Sequence, residues 1–104
     1  MPIYAATIPN GAQVSNAVNV GGGLISAVHI PTGSDNASFN LQYSPDNGTT
    51  FDPVTDESDT PIAITYLAGG QMAQINPPVR APLVRLYGVT GNETGALACE
   101  IHTV

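Results

Sequence analysis

The chain has 104 residues, eight of them acidic and two basic, for a net charge of −6, and only 10% of it is charged. That is one domain's worth of chain. Two arginines cannot neutralise a run of phosphates, which excludes nucleic acid as a partner and argues against an anionic membrane surface. The low charge is not disorder, because 42% of the residues are hydrophobic and disordered chains are poor in the Val, Ile and Thr that are plentiful here.

A surface built from Asn, Gln, Ser, Thr and Gly is more weakly hydrated than one built from Lys and Glu. It is therefore easier to bury, and contact cores between proteins are depleted in charge. No run of 18 apolar residues is present, so no membrane-spanning helix is expected. The start, Met1-Pro2-Ile3-Tyr4, lacks the basic and apolar stretches of a secretory leader. Cys99 stands alone and cannot form an internal disulfide. The expectation is synthesis in a reducing cytoplasm.

No segment reads as a helix, because prolines and glycines interrupt the chain every few residues. In chain order, residues 3–8 and 14–20 read as weak strands, and Gly21-Gly22-Gly23 permits a sharp reversal. Residues 24–30 are apolar on both faces and belong in the middle of a sheet or against a partner. Residues 31–36 form a turn cluster. The clearest strand is 38–43, where Phe39, Leu41 and Tyr43 share one face and Ser38, Asn40 and Gln42 the other. Residues 50–54 return from the turn that follows, and 52–61 make an acidic loop. Ile62, Ile64 and Tyr66 share a face. Residues 71–76 are another weak strand, and Pro77, Pro78 and Pro82 rule out regular pairing and suggest an extended edge. Val84 and Leu86 share a face with Arg85 opposite. Over 97–104, Leu97, Cys99 and Ile101 point inward, and Glu100 and His102 outward. The first and last strands are expected to pair within a sheet or pack on a neighbour. Together these predict a single all-β domain over residues 1–104. It is an antiparallel two-sheet β-sandwich of eight or nine short strands, and a jelly roll is one economical way to wind it.

The sharpest local motif is Ser44-Pro45-Asp46-Asn47-Gly48-Thr49-Thr50-Phe51. Pro and Asp suit the start of a turn, and Asn-Gly is a strong hairpin signal. The Asp46 carboxylate is placed to accept backbone N–H groups across the turn. Phe51 is expected to re-enter the core beside Tyr43. The string resembles the Asp-box, Ser-x-Asp-x-Gly-x-Thr-Trp, with Phe51 at the tryptophan position. In that family the motif is a structural hairpin of propellers, remote from their catalytic centre. The resemblance therefore implies a stable turn built on Ser44, Asp46, Asn47, Gly48, Thr50 and Phe51, not glycosidase activity.

The carboxylates of Asp46, Asp52, Asp56, Glu57 and Asp59 do not follow calcium-loop spacing, so a solvated acidic loop is expected, with a cation site as the lesser alternative. On a strand, Cys99 and His102 point to opposite faces, and one Cys with two His falls short of a structural zinc site. Cys99 is expected in the core, and His29 and His102 as ordinary strand residues. No nucleophile elbow or other convergent signature is present. No catalytic residue, metal or cofactor is expected, and the chain reads as a non-enzyme. The sequon matches at Asn36, Asn47 and Asn92 read as chance in an Asn/Thr-rich chain. Arg85 lies in an apolar strand, where an unpaired charge is costly, so it is expected to pair with a carboxylate of its own chain or of a neighbour across an interface.

As a whole, the order of features resembles small structural proteins of tailed bacteriophages. It runs from an extended start through Leu24-Ile25-Ser26-Ala27-Val28-His29-Ile30-Pro31 to the strand and turn ending at Phe51. A proline-rich approach then leads to Leu83-Val84-Arg85-Leu86-Tyr87, before a final strand from Ala96 to Ile101. The resemblance implies a virion component at the capsid surface. Its implied role is a decoration or cement protein that binds the major capsid protein and forms a homo-oligomer, often a trimer. A carbohydrate-binding host-attachment module and a minor tail protein are the alternatives it leaves.

Overall fold

The computed structural model describes residues 2–56, 58–67 and 70–104, with the side chain at position 76 set aside. It is all-β. Nine strands are described: β1 (Ile3–Ile8), β2 (Val18–Asn19), β3 (Leu24–Ile30), β4 (Ser38–Tyr43), β5 (Asp52–Pro53), β6 (Ala63–Thr65), β7 (Gln71–Arg80), β8 (Leu83–Gly88) and β9 (Leu97–Thr103). They form two antiparallel sheets, one in the order β1-β9-β3-β7 and the other β2-β8-β4-β5, with β6 also paired to β4.

The pairing is nested. β1 pairs β9, β2 pairs β8, β3 pairs β7, and β4 pairs both β5 and β6. The chain is thus one long hairpin, folded over residues 44–51 and wound so that successive strands change sheet. This is the jelly-roll winding. β5 and β6 lie end to end along β4, against Gln42–Tyr43 and Ser38–Asn40 respectively. Between them, residues 55–61 leave the sheet and return through a Thr55–Pro61 bridge.

Period-two patterning sets which faces meet. Ala6 and Ile8 of β1, Cys99 and Ile101 of β9, and Ile25 and Val28 of β3 point in from one sheet. Phe39 and Leu41 of β4, Val84 and Leu86 of β8, and Ile64 of β6 point in from the other. The edge-on contact of Phe39 with Tyr66, ring centroids 6.1 Å apart, closes one end. Cys99 is buried here as expected, and burial, aided by nearby Glu93, pushes its thiol up to about 12.

Three expected strands differ in extent. Residues 14–20 do not form one strand. Val14 makes an isolated bridge to Tyr87, and Leu86 N–H donates to the Ser15 hydroxyl at 2.9 Å instead of to a carbonyl. This interrupts the ladder before β2. Conversely, β7 runs past the expected end at 76 to Arg80. Pairing passes from Ala27–Gln74 to Ile25–Val79 with a register shift, so Pro77 and Pro78 sit in a bulge on an edge strand, where a missing N–H breaks no ladder bond. The apolar strand 24–30 lies centrally, between β9 and β7. The return strand over 50–54 is shorter than expected, with only Asp52 and Pro53 paired.

Candidate functional site

The motif at 44–51 folds on its own side chains. Asp46 Oδ1 accepts the Thr50 N–H at 2.8 Å and Oδ2 the Thr50 hydroxyl at 2.7 Å. The Ser44 hydroxyl donates to Asp46 Oδ1 at 3.0 Å and accepts the Gly48 N–H at 2.6 Å. The two bonds from Thr50, backbone first, hold the Asp46 carboxyl below its ordinary value. Asn47 and Gly48 take positive φ, 62° and 102°, which these two residue types tolerate best. The loop is longer than a two-residue hairpin, because pairing resumes only at Tyr43–Asp52.

Phe51 is a correction. It does not enter the core beside Tyr43. Tyr43 lies opposite Asp52, so strand parity puts Phe51 on the outer face, where its ring centroid lies 3.9 Å from the Arg85 guanidinium carbon. Arg85 Nε donates to Gln42 Oε1 at 2.7 Å across the β8–β4 pair. The expected carboxylate within the chain is not there: among the described residues, no acid lies in ion-pair distance of Arg85. Cation–π stacking and a neutral amide take that role. Partial burial lowers the Arg85 pKa from its ordinary value. Around it, Asn40, Tyr87, Ala63 and Thr65 also point outward, with Phe39, Leu41, Ile64 and Leu86 turned in. Arg85 is the one charged residue that points outward from the middle of this sheet among the described residues.

The outer face of the other sheet carries a different cluster. Glu100 Oε1 lies 3.2 Å from His102 Nε2 and 3.8 Å from His29 Nδ1. His29 Nδ1 has no hydrogen-bond partner. Exposed Ile3 and Met72 flank the cluster. Alternation places Glu100 and His102 on one outward face but gives both histidines no role beyond that of ordinary strand residues, so their contact with Glu100 is a finding of the structure. The approach of His29 depends on the β3–β9 register, His29 opposite Glu100, which the sequence does not state. Among the described residues, no group of three His, Cys, Asp or Glu is placed to hold a metal ion.

Sequence reasoning missed the tie between the two loops at the end opposite residues 44–51. Glu93 is 1% exposed. Its carboxylate accepts the Ser34 hydroxyl and Asn36 Nδ2, both at 2.7 Å, and the Asp35 N–H at 3.0 Å. Asn36 Oδ1 in turn accepts Thr90 N–H and Gly91 N–H. Thr94 donates its hydroxyl and its N–H to Asp35, in that order holding the Asp35 carboxyl below its ordinary value. Asn36, at 2% exposure, is thus a structural residue, and its sequon match is closed to modification in the fold.

Among the described residues, the acidic loop does not gather its carboxylates. Asp56 Oδ1 accepts Ser58 N–H and Thr60 N–H of its own loop, and Asp46 is occupied by Thr50. Glu57 lies outside the described residues. A groove of ≈ 560 Å³ opens between β6 and β7, floored by Ile62, Ile75, Pro77 and Val79, with Thr55, Asp56 and Gln74 at its rim.

Compared with protein-family models and with curated proteins, the sequence matches none. The structural reading therefore stands on the chain's own geometry.

Proposed function

We propose that this chain is a capsid decoration, or cement, protein. It binds the major capsid protein on an assembled head and acts as a homo-oligomer on the virion surface. The observation that carries this reading is the charge distribution on the fold. Both broad sheet faces carry little charge: Arg85 lies on one and Glu100 between two histidines on the other, with Asp52 and Arg80 at the ends of the short β5 and of the edge strand β7. Asp35, Asp46, Asp56 and Asp59 are held in loops. Faces of that kind lose little hydration when covered.

The strand edges support the same reading. The side chain of Asn16 covers part of β1, Pro77 and Pro78 interrupt β7, and the excursion over 55–61 separates β5 from β6. Edges so blunted resist strand-to-strand pairing, which leaves the faces as the contact surfaces. The carbohydrate-binding alternative wants a free aromatic platform, whereas one face of Phe51 is taken by Arg85.

Cementing is mechanical. A protein that binds only the assembled shell stabilises that shell by mass action. The test is to strip the protein from particles that carry it, heat them, and follow DNA release. Release at lower temperature after stripping, reversed by adding the purified chain, is the expected result. Release unaffected by stripping would end the cement reading.

A further inference from the structure

We propose that Asn47 is a site of spontaneous deamidation gated by the Ser44 hydroxyl, and that the fold sets it apart from the identical dipeptide at Asn10. The chain holds two Asn-Gly pairs, Asn10-Gly11 and Asn47-Gly48. In such a pair the glycine backbone nitrogen, with no neighbouring side chain to hinder it, attacks the asparagine side-chain carbonyl carbon. A ring C–N bond forms and the bond to the side-chain amide nitrogen breaks. That nitrogen leaves as ammonia, taking the proton of the glycine N–H. Water then opens the succinimide at either carbonyl, giving aspartate or isoaspartate. No oxidant, reductant or enzyme is needed.

Both attacking nitrogens are engaged in the fold. Gly48 N–H donates to Ser44 Oγ at 2.6 Å, and Gly11 N–H donates to the Glu93 carbonyl at 2.8 Å. A donated bond favours the protonated, unreactive nitrogen, so each bond must open before a ring closes. What that opening requires differs between the two. The Ser44 acceptor belongs to the same loop, and the other side-chain bonds of the turn, from Ser44 and Thr50 to Asp46, are internal to it as well. Residues 45–50 are all exposed. This loop can release Gly48 while both sheets stay paired. At Gly11 the acceptor comes from a distant part of the chain. Glu93 N–H returns a bond to the Ala12 carbonyl at 2.8 Å, and the Glu93 carboxylate is buried on Ser34, Asp35 and Asn36. Releasing Gly11 therefore disturbs the tie between two loops. Conversion at position 47 also has a local consequence. It adds a carboxylate beside Asp46, and the isoaspartyl form lengthens the backbone by a methylene where Asn47 and Gly48 hold φ of 62° and 102°. That shifts the Gly48 N–H out of register with Ser44.

Peptide mass spectrometry of the purified full-length chain, incubated in warm neutral buffer, tests this, with electron-transfer fragmentation to identify isoaspartate. In the native protein Asn47 is expected to convert at least about tenfold faster than Asn10. In urea the two rates are expected to converge. Ser44→Ala is expected to speed conversion at Asn47 and to leave Asn10 unchanged, with circular dichroism to establish that the variant is folded. Should Ser44→Ala fail to fold, amide exchange in the wild type takes its place, and Gly48 is expected to exchange well before Gly11. Native Asn10 converting as fast as Asn47 overturns the proposal, as does an Asn47 that stays intact natively while the urea-unfolded chain converts. A folded Ser44→Ala with an unchanged rate at Asn47, or a Gly48 amide that exchanges no sooner than Gly11, also overturns it. So does a rate difference that persists undiminished in urea, because flanking residues and not the fold then separate the two pairs.

Discussion

Glu93 shows how a buried charge is kept without a cation. Three donors from residues 34–36 converge on its two oxygens, and hydrogen bonds to a charged group are stronger than neutral ones. Glu93→Ala leaves buried donors on Asn36 and Ser34 unmatched and is expected to cost about 3 kcal/mol, read as a lower urea midpoint with an unchanged slope. Nothing near Glu93 in the chain announced this role, because its partners lie 57 to 59 residues away. The Asp46 turn was legible because its donors, Ser44 and Thr50, are sequence neighbours. Asp46 and Asp35 also carry a pH dependence. Both have a folded pKa below the ordinary 3.8, so the unfolded chain binds protons first as pH falls. Their stabilisation is complete above the unfolded value and is lost as pH drops through the folded value. The melting temperature is expected to fall between about pH 5 and pH 2, and to fall less steeply in an Asp35→Asn/Asp46→Asn variant that is already less stable at neutral pH. Parallel curves for the two proteins would show that these bonds do not set the acid response.

At the scale of the element, strands with one wet face were readable, and β3, β4 and β1 occupy the residues that alternation and composition indicated. Strands failed to follow the pattern where a side chain replaced a backbone group. The stretch 14–20 has strand-like composition, yet Ser15 Oγ takes the Leu86 N–H and Asn16 turns to β1. Asn16 Oδ1 accepts the Thr7 N–H at 2.8 Å, Nδ2 donates to the Ala5 carbonyl at 3.3 Å, and its own N–H donates to the Thr7 carbonyl. One residue thus stands in for a neighbouring strand along this edge. Asn16→Ala exposes those groups, and an open edge is a template for pairing with other chains. The expected outcome is a loss of about 1 kcal/mol together with aggregation on prolonged incubation, followed by light scattering.

For the whole molecule, the class of fold was legible, with the jelly roll as one winding that fitted it, and the strand order was not. Alternation tells a strand which face is wet, but it does not say which strand lies beside it. That choice is made by contacts between ends of the chain, such as Ile3 opposite His102, which leave no mark at short range. The winding has a consequence for cooperativity. The chain passes from β1 to β2 to β3 to β4 by changing sheet each time, and does so again from β7 to β8 to β9. Neither sheet can open while the other stays closed, because each is threaded through its partner. Hydrogen exchange read by mass spectrometry is expected to show this. Peptides covering β3 and β9 in one sheet and β4 and β8 in the other exchange last and at one common rate, set by global unfolding. The short strands β2, β5 and β6 exchange sooner. Two separate slow rates, one for each sheet, would mean that the sheets open independently and that the winding does not couple them.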